Sequence, residues 1–321
     1  MPAKAPTELG AIALLERLLG SQSARAVEIG IGDDAAVIRL GKRRLVWTID
    51  ASIEGVHFDR RWLSLDDVGW RSFQAAASDL AAMGARPIAA LAGLVLPKGS
   101  TEQEITALGR GQADAARSLA CPLIGGNISR GGELGVTTTL LGEVPRPILR
   151  SGARAGHELW LVGNVGLAYA GLELLRRGAA KRLSSAERIC VEAWRRPRAL
   201  IAEGQRLRGR ARAALDVSDG LSGDAARLAA ASSVRLILEE RPLRAVLSPA
   251  LQQIAKKLGE DPLELALVGG EDYALLAAGP KNSRPRRARP VGRIERGRGV
   301  FLEPAAGGRS VPLGPGFDHL G

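Results

Sequence analysis

Apolar and polar positions alternate along this chain in two rhythms that change over at regular intervals. The run "RLVWTID", Arg44 to Asp50, reads as a buried strand that ends in an acid. Beyond a loop, Trp70, Phe73, Ala77 and Leu80 keep helical spacing in "VGWRSFQAAASDLAAMG", with a capping-box start at Ser64–Asp67 and an end at Gly84. "PIAALAGLVLP", Pro87 to Pro97, is strand-like, and a second capping box at Thr101–Glu104 opens a helix toward Leu119. "CPLIGG" and "LGVTTTLLGEV" are further strands, the latter ending at Val144.

"PRPILRSGARAGHE", Pro145 to Glu158, interrupts the rhythm with proline and glycine and predicts a domain junction. This divides the chain into residues 1–145 and 146–321. In the second part "LWLVG" is a strand, and Gly166 to Gly178 a helix. "PRALIAEGQRLRG" is a helix with Pro197 at its first position. "AALDVSDG", "VRLILEE" and the stretch after "LVGGEDY" are strands, the last of them closing the pattern. The first part reads as alternating strands and helices.

The conspicuous acids all fall at strand ends, helix ends or glycine turns: Asp33 and Asp34 in "GIGDD", Asp50 in "TID", Asp79 in "SDLAAMG", Asp216 and Asp219 in "LDVSDG", and Glu271 and Asp272 in "GGED". Loops at strand ends are where α/β proteins bind ligands. Carboxylates converging on one mouth repel unless cations lie between them, and all-oxygen ligation favours Mg²⁺, Ca²⁺ or Mn²⁺. No G-x-x-x-x-G-K-[ST] occurs. "GIGDDA" matches the loose dinucleotide fingerprint, but Asp33 and Asp34 stand where a pyrophosphate would lie, and "AVIRL" continues as a strand, so that reading fails on charge and context. Asp33 is expected to shape the turn rather than ligate, and Trp47 and Trp70 to belong to the core.

Charge changes this picture little. The formal net charge is +11, yet only seven of the 45 basic residues are lysine, the arginine-rich balance a GC-rich genome produces. The one cluster, "RPRRARPVGRIERGR" at Arg284 to Arg298, lacks interleaved aromatics, and its first half reads as a solvated loop, so no nucleic-acid partner is expected. No apolar run reaches the ~18 residues of a membrane helix, and the N-terminus has no cleavage signature, so neither a membrane partner nor a signal peptide is expected. Two cysteines, Cys121 and Cys190, fit a reducing cytoplasm and have no metal-finger spacing.

Taken together, "IGIGDDAAVI", "TIDASIEGVHF", "SDLAAMGARP", "LIGGNISRG", "RSGARAGHELWLVG", "LDVSDGLSGDAARLA", "GGEDYALL" and "GPGFDHL" resemble the thiamine-monophosphate kinases, in order from about Glu28 to His319. The wider superfamily contains aminoimidazole ribonucleotide synthetase, selenophosphate synthetase and a hydrogenase maturation protein. The resemblance implies that family's two-domain architecture: an N-terminal α/β domain whose strands build a barrel across a homodimer, followed by an α+β C-terminal domain. It implies ATP- and Mg²⁺-dependent phosphorylation of thiamine monophosphate to thiamine diphosphate, with several Mg²⁺ ions. Asp34, Thr48, Ile49 (through its carbonyl), Asp50, Asp79, Asn127, Asp216 and Asp219 would be metal ligands, with Asp34, Asp79 and Asp219 central to catalysis. Gly126, Asn127, Arg150 and Ser218 would meet ATP; His57, Glu271 and Phe317 would meet the thiamine moiety. Three places depart from the family: Asn127 where it has Asp, Ile49 where it has Thr, and the pair Ala51–Ser52; they bear on the metal count, not the fold. The alternatives are a sister activity on another phosphate acceptor and a non-catalytic nucleotide-binding paralogue. A reactive cysteine for selenophosphate chemistry is missing from the stretch before Cys121.

Overall fold

The computed structural model describes residues 7–19, 25–178 and 182–314. The first part runs α1 (Glu8–Leu19), β1 (Val27–Ile29), β2 (Ala36–Leu40), β3 (Arg43–Ile53), α2 (Leu65–Ala82), β4 (Arg86–Pro97), α3 (Glu102–Ser118), β5 (Leu123–Gly131) and β6 (Gly135–Glu143). The second runs β7 (Glu158–Val162), α4 (Leu167–Arg176), α5 (Ser185–Arg195), α6 (Ile201–Leu207), β8 (Ala213–Val217), α7 (Leu221–Ser232) and β9 (Arg235–Glu239). It continues with α8 (Glu240–Val246), α9 (Pro249–Leu258), α10 (Pro262–Val268), β10 (Ala274–Gly279), β11 (Arg289–Glu295), β12 (Gly299–Glu303) and β13 (Val311–Pro312). The strand after "GGEDY" is therefore not the last, because three more extend its sheet.

Six strands form an open sheet in the order β1-β2-β3-β6-β4-β5, antiparallel except for β4 with β5. Along β3 exposure alternates: Val46 and Thr48 are buried, while Trp47 and Ile49 are 50% and 69% exposed. Helices α2 and α3 cover one face only, so the period-2 pattern of a half-covered sheet holds. Trp47 therefore lies on the open face, not in the core, with its indole N–H on Thr139 Oγ1 at 2.7 Å; Trp70 is buried. The sheet does not close on itself among the described residues: β1 and β5 are its two ends.

The other sheet, β13-β12-β9-β11-β7-β10-β8, has seven strands. Every residue of β8 and β10 is buried, as continuous apolar runs covered on both faces require. Leu159, Leu161 and Leu215 face the helices of the second part, whereas Trp160, Ala214 and Leu275 pack with Ala81 and Ala82 of α2. Helix α2 is thus shared between the two sheets. This accounts for the burial of Arg71, Gln74 and Ser78 on an 18-residue helix that a single sheet would cover on one side.

Two local expectations change. Ser64 caps α2 by accepting from the Asp67 N–H, but its hydroxyl, not its backbone, meets the Asp67 carboxylate, at 2.9 Å; of the two boxes expected, the full reciprocal form is present at Thr101–Glu104. The helix expected from Pro197 starts at Ile201 instead. Residues 197–200 stay outside any helix, where the Pro197 carbonyl accepts from Trp70 Nε1 at 2.7 Å and the Ala199 N–H donates to Gln74 Oε1 at 2.8 Å. No helix among the described residues is long and apolar enough to cross a membrane.

Candidate active site

Four elements deliver the central cluster. Asp34 comes from the turn between β1 and β2, Thr48 from the covered face of β3, and Asp79 from the last turn of α2. Asp216 has the same parity on β8 as Ala214 and so faces α2. Asp34, Asp79 and Asp216 each place a carboxylate oxygen within 4.8 Å of the others. The Thr48 hydroxyl donates to Asp79 Oδ2. Arg150, from the junction, donates to Asp34 Oδ1 through Nη2 at 2.8 Å and Nε at 3.1 Å. Asp34 Oδ2 is buried and has no hydrogen-bond partner.

Burial pushes the carboxyls of Asp34, Asp79 and Asp216 upward, and their mutual repulsion adds to it, while Arg150 pulls Asp34 back. Asp50, two residues along β3 from Thr48, is raised to about 6 by burial first, with Asp216 and Asp219 adding to it. One arginine cannot balance this set. A buried carboxylate oxygen without a donor carries a large penalty, and an all-oxygen donor set is what a hard divalent cation takes. The residues present therefore fit a cation such as Mg²⁺.

Asp33 stands apart from the cluster. Its Oδ1 accepts from the Asp34 N–H at 3.0 Å, and its carboxylate takes the Arg150 N–H at 3.2–3.3 Å, so it shapes the turn and ties it to the junction. Asp219 pairs with Arg227, which also reaches Asp224 Oδ1 at 2.6 Å. Asp224 Oδ2 accepts the backbone N–H groups of Ser218 and Asp219 at 3.1 and 3.0 Å, and burial raises its carboxyl to about 8. Sequence reasoning missed both Asp224 and Arg227. Their spacing of three in a helix was visible, but not that they buttress the turn before it.

Glu271 is occupied. Arg71 pairs with Oε1 and the Trp194 indole N–H donates to Oε2 at 2.7 Å, with the Arg71 guanidinium 5.2 Å from the Trp194 ring centroid. The signal for Arg71 was a charge beside Trp70 and Phe73 on a helix whose surroundings are apolar. Asp272 accepts from the Gly166 and Ala168 N–H groups and so caps α4. His57 Nδ1 accepts from the Ile53 N–H at 3.1 Å, in the bend after β3.

Along the sheet, Asp50, Thr138, Ala92 and Gly126 form one row, and Ala51, Thr137, Gly93 and Asn127 the next. A Cβ on Gly126 would come within 1.8 Å of the Ala92 carbonyl, so only glycine fits there. Asn127 sits one row off Asp50 on the exposed edge strand β5. The Ile49 side chain faces away from the cluster, which leaves only its backbone carbonyl for that site. Phe317 lies outside the described residues.

In the basic stretch after β10 three arginines are paired with acids. Arg284 pairs with Glu158, Arg287 with Glu203, and Arg293 with Glu239, Glu295 and Glu303.

The family model for the AIR synthase related protein N-terminal domain matches residues 32–144, and that for the C-terminal domain residues 154–299. A thiamine-monophosphate kinase of Aquifex aeolicus is 35% identical over 92% of this chain and 94% of its own length. One of Mycobacterium tuberculosis is 34% identical over 89% and 85%. A solved structure described as AaThiL complexed with AMPPCP and TMP superposes with a TM-score of 0.86 at 34% identity, covering 92% of this chain and 93% of that one.

Proposed function

This chain belongs to the thiamine-monophosphate kinases within the AIR synthase related proteins, and from that premise we propose how its residues divide the work. The reaction is ATP-dependent phosphorylation of thiamine monophosphate. A phosphate oxygen of the acceptor bonds to the γ-phosphorus of ATP as the bond from that phosphorus to the β–γ bridging oxygen breaks, giving thiamine diphosphate and ADP. The observation that carries the assignment of roles is the buried Asp34–Asp79–Asp216 cluster, with Asp34 Oδ2 left without a donor.

We assign Asp34, Asp79 and Asp216, with Thr48 and Asp50 beside them, as the residues that hold Mg²⁺. Bound there, the cation would neutralise phosphate oxygens that these acids would otherwise repel. The protein's own contribution is alignment. Arg150 fixes Asp34 and would offer positive charge to the ATP phosphates; to Gly126 and Ser218 we assign contacts with the same nucleotide. Asp219, already balanced by Arg227, and Asn127, on the edge strand, lie at the margin of the metal set, as does the Ile49 carbonyl. On the acceptor side we place His57 and Phe317. Glu271, held by Arg71 and Trp194, would act there by positioning Trp194.

We also infer a homodimer through the open face of the first sheet, with the junction near residue 145 as the boundary between the two domains. Trp47, Ile49, Leu91, Ile124 and Ile128 are exposed on that sheet or its edge strand β5. An uncovered apolar surface and a bare strand edge both call for a partner. Closing the open sheet against a second copy is how a barrel would arise. A cytoplasmic location is consistent with the two free, buried cysteines.

Purified protein given ATP, Mg²⁺ and thiamine monophosphate should release ADP and form thiamine diphosphate, should leave free thiamine untouched, and should stop on addition of EDTA. Equal turnover of thiamine and its monophosphate would overturn the acceptor assignment. Light scattering should give twice the chain mass, and Ile49→Glu with Ile128→Glu should give the monomer.

A further inference from the structure

At the far end of β8 from Asp216 lies a cavity of about 560 Å³. Its walls come from the junction, from Arg212 just before β8, and from His157 just before β7. Arg146, Arg154 and Arg212 converge on it, and among the described residues no carboxylate lines it. Many of the chain's other arginines are paired with acids, among them Arg284, Arg287 and Arg293 in the basic stretch after β10. Here Arg212 reaches only the Gly209 carbonyl, at 3.3 Å, and among the described residues no ion pair takes up Arg146 or Arg154.

The backbone around the cavity is tightly held. Gly152 has φ +117°, and a Cβ there would come within 2.4 Å of the Arg212 carbonyl. The Arg212 N–H donates to the Ala278 carbonyl at 2.7 Å, and the Ile294 N–H to the His157 carbonyl at 2.9 Å. His157 Nδ1 accepts from the Arg154 N–H at 3.2 Å. An imidazole that accepts at Nδ1 carries its proton on Nε2, where it can donate. Ile148 and Ala211, both buried, supply an apolar floor.

We propose that this cavity is a binding site for a small organic phosphate or diphosphate, separate from the acidic active site. Three guanidiniums and one imidazole donor suit a multiply charged phosphate group. The volume lies in the ordinary range for small-molecule sites, which leaves room for an organic part on the apolar floor. Strand β8 keeps the two sites apart, with Arg212 before its first residue and Asp216 next to its last.

The test uses inorganic pyrophosphate as the probe on the full chain in EDTA, where the bare acids of the active site disfavour anions. Calorimetry should show binding, and Arg154→Ala and Arg212→Ala should each weaken it about tenfold. The ¹H–¹⁵N imidazole signal missing from His157→Gln, one of only three histidine signals in the chain, should move on adding pyrophosphate to the wild type. Thiamine-monophosphate kinase turnover at saturating substrates should stay within about twofold in both arginine variants, since neither side chain touches the acidic cluster. Absent binding, binding unchanged in both variants, a still His157 signal, or turnover lost in step with binding would each overturn the proposal.

Discussion

Two acidic groups stand within a few residues of one another around the end of β8, and they are built on opposite terms. In the Asp219–Asp224–Arg227 knot, both carboxylates meet Arg227, and the second also accepts two backbone N–H groups. In the Asp34–Asp79–Asp216 cluster three carboxylates share one arginine, and a buried oxygen has no donor at all. The knot can stand as it is, because its charges are answered within the protein. The cluster is costly as it is, and the cost falls only when something positive arrives. A buried charge with its partner in the chain is architecture; one without is a site.

The strongest way to break this comparison is to neutralise one member of each group. Asp216→Asn or Asp79→Asn should lower kcat/KM by about two to three orders of magnitude, by analogy with the loss of other electrostatic groups that act in the transition state. The same changes should raise the melting temperature of the EDTA-treated protein, because a repulsion disappears. Arg227→Met should do the reverse to stability and lower the melting temperature with or without Mg²⁺, since it strands two carboxylates. Thermal unfolding of the three variants in EDTA reads the sign directly; a fall for Asp79→Asn would mean the cluster is a structural network like the knot.

Acidity separates metal-free from metal-bound protein with a smaller effect. Burial raises the carboxyls of Asp50 to about 6 and Asp34 to about 7 in the metal-free fold, above the ordinary carboxylate value. The folded state therefore binds more protons than the unfolded one between about pH 4 and those values, and stability is lost as pH rises through them. In EDTA the melting temperature should climb by a few degrees from pH 8 to pH 5.5. Saturating Mg²⁺, which favours the ionised cluster, should flatten or reverse that slope. The same climb with Mg²⁺ present would argue that no cation enters.

Smallest are the effects at the margin. Asn127→Asp should move the Mg²⁺ titration of activity a few-fold toward lower concentration, because a carboxylate holds a hard cation better than an amide. Asp33→Asn, which keeps an acceptor oxygen for the Arg150 N–H, should cost less than tenfold in rate. A loss at Asp33 as large as at Asp34 would place Asp33 in the cluster.

What the sequence determined by itself was local. The alternation along β3, the spacing on α2, the caps at Ser64 and Thr101 and the break after Val144 all follow from periodicity and backbone chemistry that neighbours in the chain can express. The sequence also brought out the acids as a set, because each lies at a strand end, a helix end or a glycine turn. Which acids meet was a matter for the tertiary structure. Asp34 and Arg150 are 116 positions apart, and no period relates them. The two-sided burial of α2 depends on a second sheet closing over it. That closure brings Asp79 to Asp216, buries Arg71 against Glu271 and keeps Pro197 to Leu200 out of the helix that local signals read. The exposure of Trp47 has the same origin: an aromatic in a strand reads as core until the packed helices decide which face they cover. Side-chain period and capping are one-chain properties of a few residues, whereas the pairing of charges depends on which surfaces pack, and only the folded whole settles that.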